Sequence, residues 1–502
     1  MNESASSIFT RLFRNSFNLG DKIAVIGDES RLSFQELHSL SAQLSSDLAA
    51  LEFIEGAVVG LRFRDPLKHL ITSLALLKEG ITQVTIAPWE NLAAQRKIAD
   101  FTGVTAIISD TMGPVIRGIV NLTFTPDWHL QGECAIQTAP AAQASYPALL
   151  VVGSGTTGRP KLIAVGFYLL AELIKRDINI RNHKSGERHY CESSFDYYTS
   201  KRRTLGYLAA GATVMLPQAP PPRLVTYCLE NDIQHLSLTT SQATKMLAQE
   251  HAFHTPCFPR LPDLRTLFVS SSPVSEGVRH RIRREISDQL FVVYGSNEFG
   301  EATIASPADQ DKHSGTVGKP CPGVLIDVID NSGNLCSPGE KGNIRFKSTP
   351  MMQGYHMEYP DSSQHFKEDG FYPGDLGFLT EDGNLIFSGR SDDMMIYRGV
   401  NIYPREIEVV LESHPAVSDA AAFPLLTSTQ ENLPFAVVCA TDVSERELLA
   451  HCQKHLGWRR PIRIFFMQVL PRNAAGKVLK RVLAEKVASR IMAEKKSNLS
   501  SP

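Results

Sequence analysis

The chain has 502 residues, of which 43% are hydrophobic and 21% charged, and its formal net charge is −2 at pH 7. This composition excludes a disordered chain and predicts a globular protein with enough apolar residues for two or more domains. It also argues against nucleic acid as a partner, because the basic excess typical of nucleic-acid-binding proteins is missing.

Cysteine spacing and hydropathy narrow the class of protein further. The eight cysteines form no Cys-x-x-Cys pair and no cluster with histidines, so the sequence predicts neither a zinc site nor a disulfide framework. The N-terminal residues lack a long apolar stretch, and no run of about 18 apolar residues occurs anywhere. We therefore expect a cytoplasmic protein without membrane insertion.

The first 150 residues alternate between predicted strands and predicted helices. Strands are predicted at 23–26, 58–61 and 104–109. An amphipathic helix begins at the Ser-x-x-Glu capping box of Ser33 and Glu36 and runs to about residue 51. A second helix is predicted over 67–78. Such alternation indicates parallel sheet covered by helices, and the Ala-, Gln- and Pro-rich residues 132–147 read as a surface connection.

An apolar strand at 149–152 ends in a run of Gly, Ser and Thr that is followed by Arg-Pro-Lys. Backbone N–H groups and hydroxyls at such a turn suit an anion, and the two basic side chains suit a polyphosphate, so we expect ATP. Gly153 and Gly158 have the spacing of a Walker A loop. However, Pro160 removes a backbone donor, and no Ser or Thr follows Lys161, which excludes a Walker fold. A flexible linker would seldom follow a buried strand.

Residues 154–161, Ser-Gly-Thr-Thr-Gly-Arg-Pro-Lys, resemble the phosphate loop of the superfamily of acyl- and aryl-CoA synthetases, peptide-synthetase adenylation domains and firefly luciferase. The resemblance covers nearly the whole chain. It departs from the family pattern at Gly153, where Thr or Ser is usual, and at Leu162, where Gly is usual. It implies that the phosphates contact Ser154, Gly155, Thr156, Thr157, Gly158 and Lys161, with Thr156 also a Mg²⁺ ligand.

Residues 193–198, Ser-Ser-Phe-Asp-Tyr-Tyr, resemble the family segment that lines the acyl pocket. The implied substrate pocket is formed by Phe195, Asp196, Tyr197 and Tyr198. Without the resemblance, core packing would be favoured for the aromatic residues. A carboxylate in an apolar pocket needs a donor, so Asp196 predicts an amine or hydroxyl on the substrate, and the tyrosines predict a flat ring. Alternatively, Asp196 faces away from the pocket and pairs with Lys201, Arg202 or Arg203.

Two later strands, at 267–269 and 291–294, each end in a polar corner. Ligands bind at the carboxyl ends of parallel strands, so both corners are expected in one cleft. The resemblance implies nucleotide contacts at Ser271, Ser272, Tyr294 and Gly295. It further implies that Tyr294 stacks on adenine and that Glu298 helps to hold Mg²⁺, a role that suits an oxygen ligand. Asn297 replaces the usual Thr, and Glu298 could instead be a helix N-terminal charge.

Two glycine-rich turns follow at 370–377 and 383–390, in the order that the family shows. Asp375 matches the residue that binds both ribose hydroxyls, and Arg390 matches a second nucleotide contact. The alternative for Asp375 is an exposed turn carboxylate. Asp392 matches the hinge before a smaller domain, and Gly399 matches a position beside the thiol tunnel.

The C-terminal part carries the most specific motif. Strands are predicted at 420–423 and 435–440 and a helix at 445–455, which indicates an α+β unit. Residues 471–481 match the family signature Pro-Arg-x-x-x-Gly-Lys-x-x-x-Arg, which implies that Lys477 is catalytic, together with Glu298. Without the motif, a lysine near the C-terminus such as Lys477 would be expected to be a solvated side chain. A point charge on a mobile loop suits entry into a cleft.

The sequence therefore predicts an α/β fold with a large N-terminal adenylation domain of helix-covered, mostly parallel sheets at 1–390 and a small mobile C-terminal α+β domain at 391–502. The expected reaction uses ATP and Mg²⁺ to convert a small carboxylic acid, aryl or amino-substituted, into an acyl-AMP, which a thiol then attacks. Coenzyme A is the expected acceptor, and a carrier protein is the alternative. A luciferase-type oxygenase and a non-catalytic nucleotide-binding module stay open, as does the oligomeric state.

Overall fold

The computed structural model describes the chain except residues 1–18, 111–114, 126–127, 132–145, 154–160, 252–259, 350, 353, 357–361, 398–399, 427–431, 473–475 and 500–502. The helices of the described residues are α1 (Phe34–Ala50), α2 (Pro66–Glu79), α3 (Leu92–Thr102), α4 (Phe167–Arg181), α5 (Tyr198–Ala209), α6 (Leu224–Glu230), α7 (Thr240–His251), α8 (Glu276–Glu285), α9 (Pro307–Lys312), α10 (Ser362–His365), α11 (Pro404–Glu412), α12 (Glu445–Leu456) and α13 (Lys480–Leu499).

The strands up to the middle of the chain are β1 (Ile23–Ile26), β2 (Arg31–Ser33), β3 (Val58–Arg62), β4 (Thr82–Thr85), β5 (Val104–Ser109), β6 (Val120–Phe124), β7 (Leu130–Gln131), β8 (Pro147–Gly153), β9 (Lys161–Gly166), β10 (Arg188–Cys191), β11 (Thr213–Met215), β12 (His235–Thr239) and β13 (Thr266–Ser270). The later strands are β14 (Leu290–Ser296), β15 (Gly300–Ala305), β16 (Thr316–Pro320), β17 (Val324–Ile329), β18 (Gly342–Ser348), β19 (Phe366–Lys367), β20 (Gly370–Phe371), β21 (Asp375–Leu379), β22 (Leu385–Arg390), β23 (Met395–Tyr397), β24 (Val400–Ile402), β25 (Val417–Leu426), β26 (Asn432–Ala440) and β27 (Arg463–Phe466).

A seven-stranded sheet is built from the first part of the chain, in the order β7-β6-β5-β3-β4-β8-β9. Its inner strands β6, β5, β3, β4 and β8 are parallel, and β8 and β9 form an antiparallel hairpin. The predicted capping box begins α1, since Ser33 N–H donates to Glu36 Oε2 at 2.8 Å and Glu36 N–H donates to Ser33 Oγ at 3.1 Å. The helix-covered parallel sheet predicted for this part of the chain is confirmed.

A fifteen-stranded sheet carries the rest of the large N-terminal part. Strands β1, β11, β10, β12, β13 and β14 are parallel neighbours, and their flanking helices bury an apolar core. From β14 onward the sheet continues through antiparallel β15, β16, β22, β21 and β18. The sheet is therefore parallel where helices cover it and antiparallel where hairpins follow one another along the chain.

A buried charge network joins α4 and α5 to β15. Glu301 is 3% exposed and accepts from Arg181 and Arg203 at 3.1 and 3.0 Å, and it also pairs with Arg202. Arg202 pairs on its other side with Asp177. Burial penalises each of these charges, so the network is stable only while all its partners are present.

The C-terminal part forms its own layer of sheet and helices. Strands β25, β26 and β27 make a three-stranded sheet, β23 and β24 form a hairpin, and α11 and α12 cover one apolar cluster while α13 covers another. The α+β character predicted for this region is thus confirmed, whereas the division at residues 390 and 391 stays a prediction. Among the described helices, none has both the length and the apolar character needed to cross a bilayer.

Candidate active site

The carboxyl ends of β12, β13 and β14 lie side by side and supply the backbone of the site. Thr240 Oγ1 donates to the carbonyl oxygens of Ser270 and Ser272 at 3.3 and 2.7 Å, which joins two of these strand ends. Ser271 between them has φ 84°, a conformation uncommon for a residue with a side chain. At Gly295 a Cβ atom would overlap the carbonyl oxygen of Gly300, so only glycine fits there.

Tyr294, Asp375 and Arg390 meet above the end of β14. The Tyr294 hydroxyl donates to Asp375 Oδ2, and Arg390 Nη1 lies 3.4 Å from Asp375 Oδ1. Asp375 is 7% exposed, and burial raises its pKa to about 6, although Arg390 and Tyr294 oppose this rise. Asp375 is therefore a buried carboxylate with charged and hydroxyl partners, which excludes the exposed turn carboxylate considered from the sequence.

Arg390 and Asp392 form a bidentate ion pair, with Nε to Oδ1 and Nη2 to Oδ2 both at 2.8 Å. Burial raises the pKa of Asp392, but the paired Arg390 outweighs it and holds the pKa below its usual range. The predicted hinge residue is thus tied directly to the predicted nucleotide contact. The hinge role of Asp392 stays a prediction.

Lys477 lies on the same side of the sheet as these carboxylates. Its positive charge lowers the pKa of Asp375 and of Asp392, after larger contributions from burial and from other partners. The preceding Gly476 has φ 81°, and a Cβ there would lie 3.1 Å from Ser241 Cβ at the start of α7. Gly476 therefore packs against the end of β12 and the start of α7.

A second group of side chains surrounds Glu298 in the turn between β14 and β15. Tyr355 donates its hydroxyl to Glu298 Oε1 at 2.9 Å and accepts from Lys161 Nζ at 3.1 Å. Lys161 Nζ also lies 3.4 Å from His365 Nε2, and His365 Nδ1 lies 2.7 Å from the carbonyl oxygen of Tyr372. That carbonyl can only accept, so Nδ1 carries the proton and Nε2 accepts from the lysine.

Tyr355 and His365 were not predicted from the sequence. They lie 194 and 204 positions beyond Lys161, in a stretch without clear periodicity, so no local signal connects them to the loop. The predicted loop residues Ser154, Gly155, Thr156, Thr157 and Gly158 lie outside the described residues, as does Gly399. The two ends of that loop are nevertheless in register, since Gly153 pairs with Lys161 across the β8–β9 hairpin.

Two of the three departures from the family pattern, Leu162 after the loop and Asn297 in the turn, have different surroundings. Leu162 is 2% exposed and belongs to an apolar cluster, so its side chain adds core packing where the family usually has Gly. Asn297 lies half-buried in the turn that carries Glu298.

Two aromatic residues of the predicted substrate segment are buried in the apolar core. Phe195 and Tyr198 are 2% and 7% exposed and belong to the main apolar cluster, which is the core packing that their residue type favours. Tyr197 is half-buried. The implied pair of aromatic walls therefore needs correction, because Tyr198 packs in the core and Tyr197 keeps more of its surface accessible.

Asp196 has a partner that the sequence did not indicate. His69 Nδ1 lies 3.2 Å from Asp196 Oδ1, and the Ser194 hydroxyl donates to Asp196 Oδ2. Lys201 Nζ donates to His69 Nε2 at 3.0 Å and to Gln83 Oε1 at 3.3 Å. Burial lowers the pKa of His69 to about 4 and that of Lys201 to about 7.

This network corrects the alternative in which Asp196 pairs with a neighbouring basic residue. The Ser194 hydroxyl donates to Asp196 Oδ2, and the side chain facing Oδ1 is a histidine from α2. Arg202 and Arg203 point to Glu301 instead, and Lys201 reaches Asp196 through the imidazole. Among the described residues, Asp196 Oδ1 has no hydrogen-bond donor, so a donor from the substrate stays a prediction.

Similarity to known proteins identifies the family of the chain. The family model described as AMP-binding enzyme matches residues 12–356, and the model described as AMP-binding enzyme C-terminal domain matches residues 406–477. The chain is 27% identical to the 2-succinylbenzoate–CoA ligase of Bacillus velezensis, over 92% of this chain and 94% of that protein. It is 26% identical to the salicyl-AMP ligase/salicyl-S-ArCP synthetase of Mycobacterium tuberculosis, over 92% and 87%.

Other similarities are shorter or concern the fold alone. The long-chain-fatty-acid–CoA ligase of Salmonella typhimurium is 32% identical over 43% of this chain, and the match spans only 40% of that ligase. The solved structure of O-succinylbenzoate coenzyme A synthetase from Bacillus subtilis, in complex with ATP and magnesium ion, superposes with a TM-score of 0.80. It is 22% identical and covers 94% of this chain and 98% of its own.

Proposed function

Because this chain belongs to the family of AMP-binding enzymes, we propose that it is an ATP-dependent acid–thiol ligase that activates a small aryl carboxylic acid as an acyl-AMP and transfers the acyl group to coenzyme A. One observation carries the proposal. Asp375 is hydrogen-bonded to Tyr294 near the carboxyl end of β14. Glu298 follows the same strand and is joined to Lys161 through Tyr355. That edge is where nucleotides bind in open α/β sheets.

In the first half-reaction the substrate itself supplies the nucleophile, and the enzyme has to neutralise the charge that develops on the phosphates. A substrate carboxylate oxygen attacks the α-phosphorus of ATP, the bond to the β-phosphate bridging oxygen breaks, and pyrophosphate leaves. Lys477 would stabilise charge on the α-phosphoryl oxygens, and Lys161 would contact the departing phosphates. Asp375 and Arg390 would bind the ribose and position the nucleotide.

Glu298 and Tyr355 fit a magnesium site in their chemistry. Glu298 offers carboxylate oxygens, the ligand type that Mg²⁺ prefers, and one of them is already oriented by the Tyr355 hydroxyl. When bound, Mg²⁺ would neutralise phosphate charge. Lys161, which donates to the same hydroxyl, then has a fixed position toward the phosphates.

The second half-reaction transfers the acyl group to a thiol. The thiol sulfur attacks the acyl carbonyl carbon, its proton is lost, and the carbon–oxygen bond to AMP breaks. We propose coenzyme A as the acceptor. The relative whose name includes salicyl-S-ArCP synthetase favours a carrier protein as the second candidate, and 2-succinylbenzoate–CoA ligase favours the first.

Pyrophosphate exchange tests the first half-reaction directly. Purified protein is incubated with ATP, Mg²⁺, radiolabelled pyrophosphate and a panel of aryl, aliphatic and amino acids, and label in ATP is counted. We expect exchange with a small aryl acid, and mass spectrometry of parallel reactions with coenzyme A should detect the thioester. An exchange signal with the acid but no thioester would favour the carrier protein. Absence of exchange across the panel would contradict the proposal.

The Asp196 network supplies a test of substrate selection. If Asp196 binds a polar substituent on the substrate ring, Asp196→Ala should change the ratio of kcat/KM between benzoate and aminobenzoates. If the carboxylate serves only to hold His69, both values should fall together because the pocket wall loosens. Gln83→Ala is the matched control, since it disturbs Lys201 in the same network without touching Asp196.

A further inference from the structure

A cluster of three metal-ligating side chains lies at the opposite edge of the large sheet from the candidate active site. His183 follows α4, Glu187 precedes β10, and His235 is the first residue of β12. Strands β10, β11, β12 and β13 all begin at this edge. The cluster is therefore separated from the nucleotide edge by the length of the parallel strands, and the proposed reaction makes no use of it.

The three side chains offer one ligand atom each, and all of these atoms lie within 4.8 Å of one another. His235 Nε2 lies 2.9 Å from Glu187 Oε2. Ligand atoms bound to one Zn²⁺ at about 2.0–2.2 Å are separated by roughly 3–3.5 Å in tetrahedral geometry. Only small side-chain movements are needed to bring the three atoms onto one ion.

His183 has no hydrogen-bond partner that would explain its position. Within the part of the chain that the structure describes, both of its ring nitrogens are buried and lack a partner. Its ring is enclosed by His235 and Tyr207, with both ring centroids 4.2 Å away. A buried imidazole without a partner is unfavourable, and a metal ion would satisfy it.

The side chains of His235 and Glu187 are oriented by contacts with residues outside the cluster. His235 Nδ1 lies 2.8 Å from Thr266 Oγ1, which leaves Nε2 directed at the cluster. Glu187 Oε1 is held by Arg265, and Oε2 accepts from the Lys184 backbone N–H at 2.8 Å. These contacts match the outer-shell support that histidine and carboxylate ligands receive in metal sites.

Two nearby arginines limit the affinity of the cluster for a cation. Arg181 and Arg265 would repel it, but each is paired with a carboxylate, Glu301 and Glu187 respectively. Metal binding is expected to be weaker than at a site without arginines.

From this arrangement we propose that His183, Glu187 and His235 bind one Zn²⁺ ion that fastens the end of α4 to the start of β12. Two imidazoles and one carboxylate form a ligand set that Zn²⁺ uses, whereas Mg²⁺ prefers oxygen ligands only. The sequence alone argued against zinc because it lacks a cysteine motif, but these ligands are brought together only by the sheet, with 48 positions between Glu187 and His235.

Cobalt binding tests the proposal without any use of ATP or an acid substrate. Untagged full-length protein is treated with a chelator, desalted and titrated with Co²⁺, and the visible ligand-field absorption is followed, with Zn²⁺ as competitor. We expect one equivalent of Co²⁺ with bands of tetrahedral intensity, displaced by Zn²⁺. His183→Ala should weaken binding by roughly 100-fold or more, and Thr266→Val by about tenfold.

The control addresses a second group of histidines in the C-terminal part. His451 lies near His414 and His455, so His451→Ala tests whether the signal comes from there. That variant should bind Co²⁺ like the wild type. Zn²⁺ should raise the Tm of the wild type and of His451→Ala but not of His183→Ala. Absence of a Co²⁺ spectrum, or an equal signal from His183→Ala, would overturn the proposal.

Discussion

Asp375 provides a prediction in which stability and nucleotide binding change in opposite directions. Burial raises its pKa from 3.8 to about 6, despite the nearby Arg390 guanidinium and Tyr294 hydroxyl. A tenfold difference in proton affinity is worth ~1.4 kcal/mol, so the ionised carboxylate disfavours the folded state by about 3 kcal/mol at pH 7. Asp375→Asn keeps the shape and removes this charge. We expect a higher Tm at pH 7 and a raised KM for ATP.

The pH dependence follows from the sign of the shift. Well below pH 3.8 the carboxyl group is protonated in both folded and unfolded chains, and it contributes no penalty. As pH rises through 4 to 6, the unfolded chain loses its proton first, so the wild type becomes less stable relative to Asp375→Asn. The Tm difference should therefore be nearly absent near pH 3 and full at pH 7. A difference that is independent of pH, or a less stable variant at pH 7, would refute this reasoning.

Asp309 is the matched control for that experiment, because its pKa is perturbed in the opposite direction. Burial raises the pKa of Asp309, but hydrogen bonds from the Ser306 hydroxyl and N–H, at 2.6 and 3.0 Å, outweigh burial and lower it. Asp309→Asn should reduce the Tm at pH 7, and the loss should shrink as pH falls. Discrimination between ATP and 2′-deoxy-ATP should change in Asp375→Asn and stay unchanged in Asp309→Asn.

Three further substitutions test other parts of the structure. Glu301→Gln leaves three buried arginines without their shared carboxylate and should destabilise the protein by about 3–5 kcal/mol, measured as a fall in Tm; an unchanged Tm would be incompatible with a stabilising network. Tyr355→Phe removes the hydroxyl between Lys161 and Glu298 and should raise the Mg²⁺ concentration needed for half-maximal exchange, an effect that a merely structural tyrosine would not produce. Asp392→Pro fixes φ and should preserve one half-reaction while abolishing the other, and full overall turnover would rule out the hinge.

Much of the fold was predictable because its signals are local. The capping box at Ser33 begins its helix as predicted, and the apolar run before Ser270 forms a buried strand of the parallel sheet. Antiparallel continuation of that sheet beyond β14 was less evident, since short strands joined by hairpins carry weak periodicity. The catalytic role that the motif predicts for Lys477 stays a prediction, and the charge of this lysine lowers the pKa of Asp375 after larger effects from burial and from other partners.

Contacts between distant segments could not be predicted in the same way. Asp196 was expected to need a donor from substrate or from a neighbouring basic residue, but His69 comes from a helix over a hundred positions away. Tyr355 and His365 join the Lys161 and Glu298 group for the same reason. A single sequence gives residue types and local pattern, whereas the pairing of buried polar groups depends on which strands and helices become neighbours.

The most direct test of the proposed ligase compares the two half-reactions of Lys477→Ala. Acyl-AMP formation, measured by pyrophosphate exchange, should fall by roughly 10²-fold or more, the order expected when a preorganised charge is removed from a transition state. Thioester formation from a presynthesised acyl-AMP and coenzyme A should proceed at nearly the wild-type rate, because Lys477 then has no phosphoryl transfer to assist. Equal loss in both half-reactions, or unchanged exchange, would contradict the assignment of this lysine to adenylation.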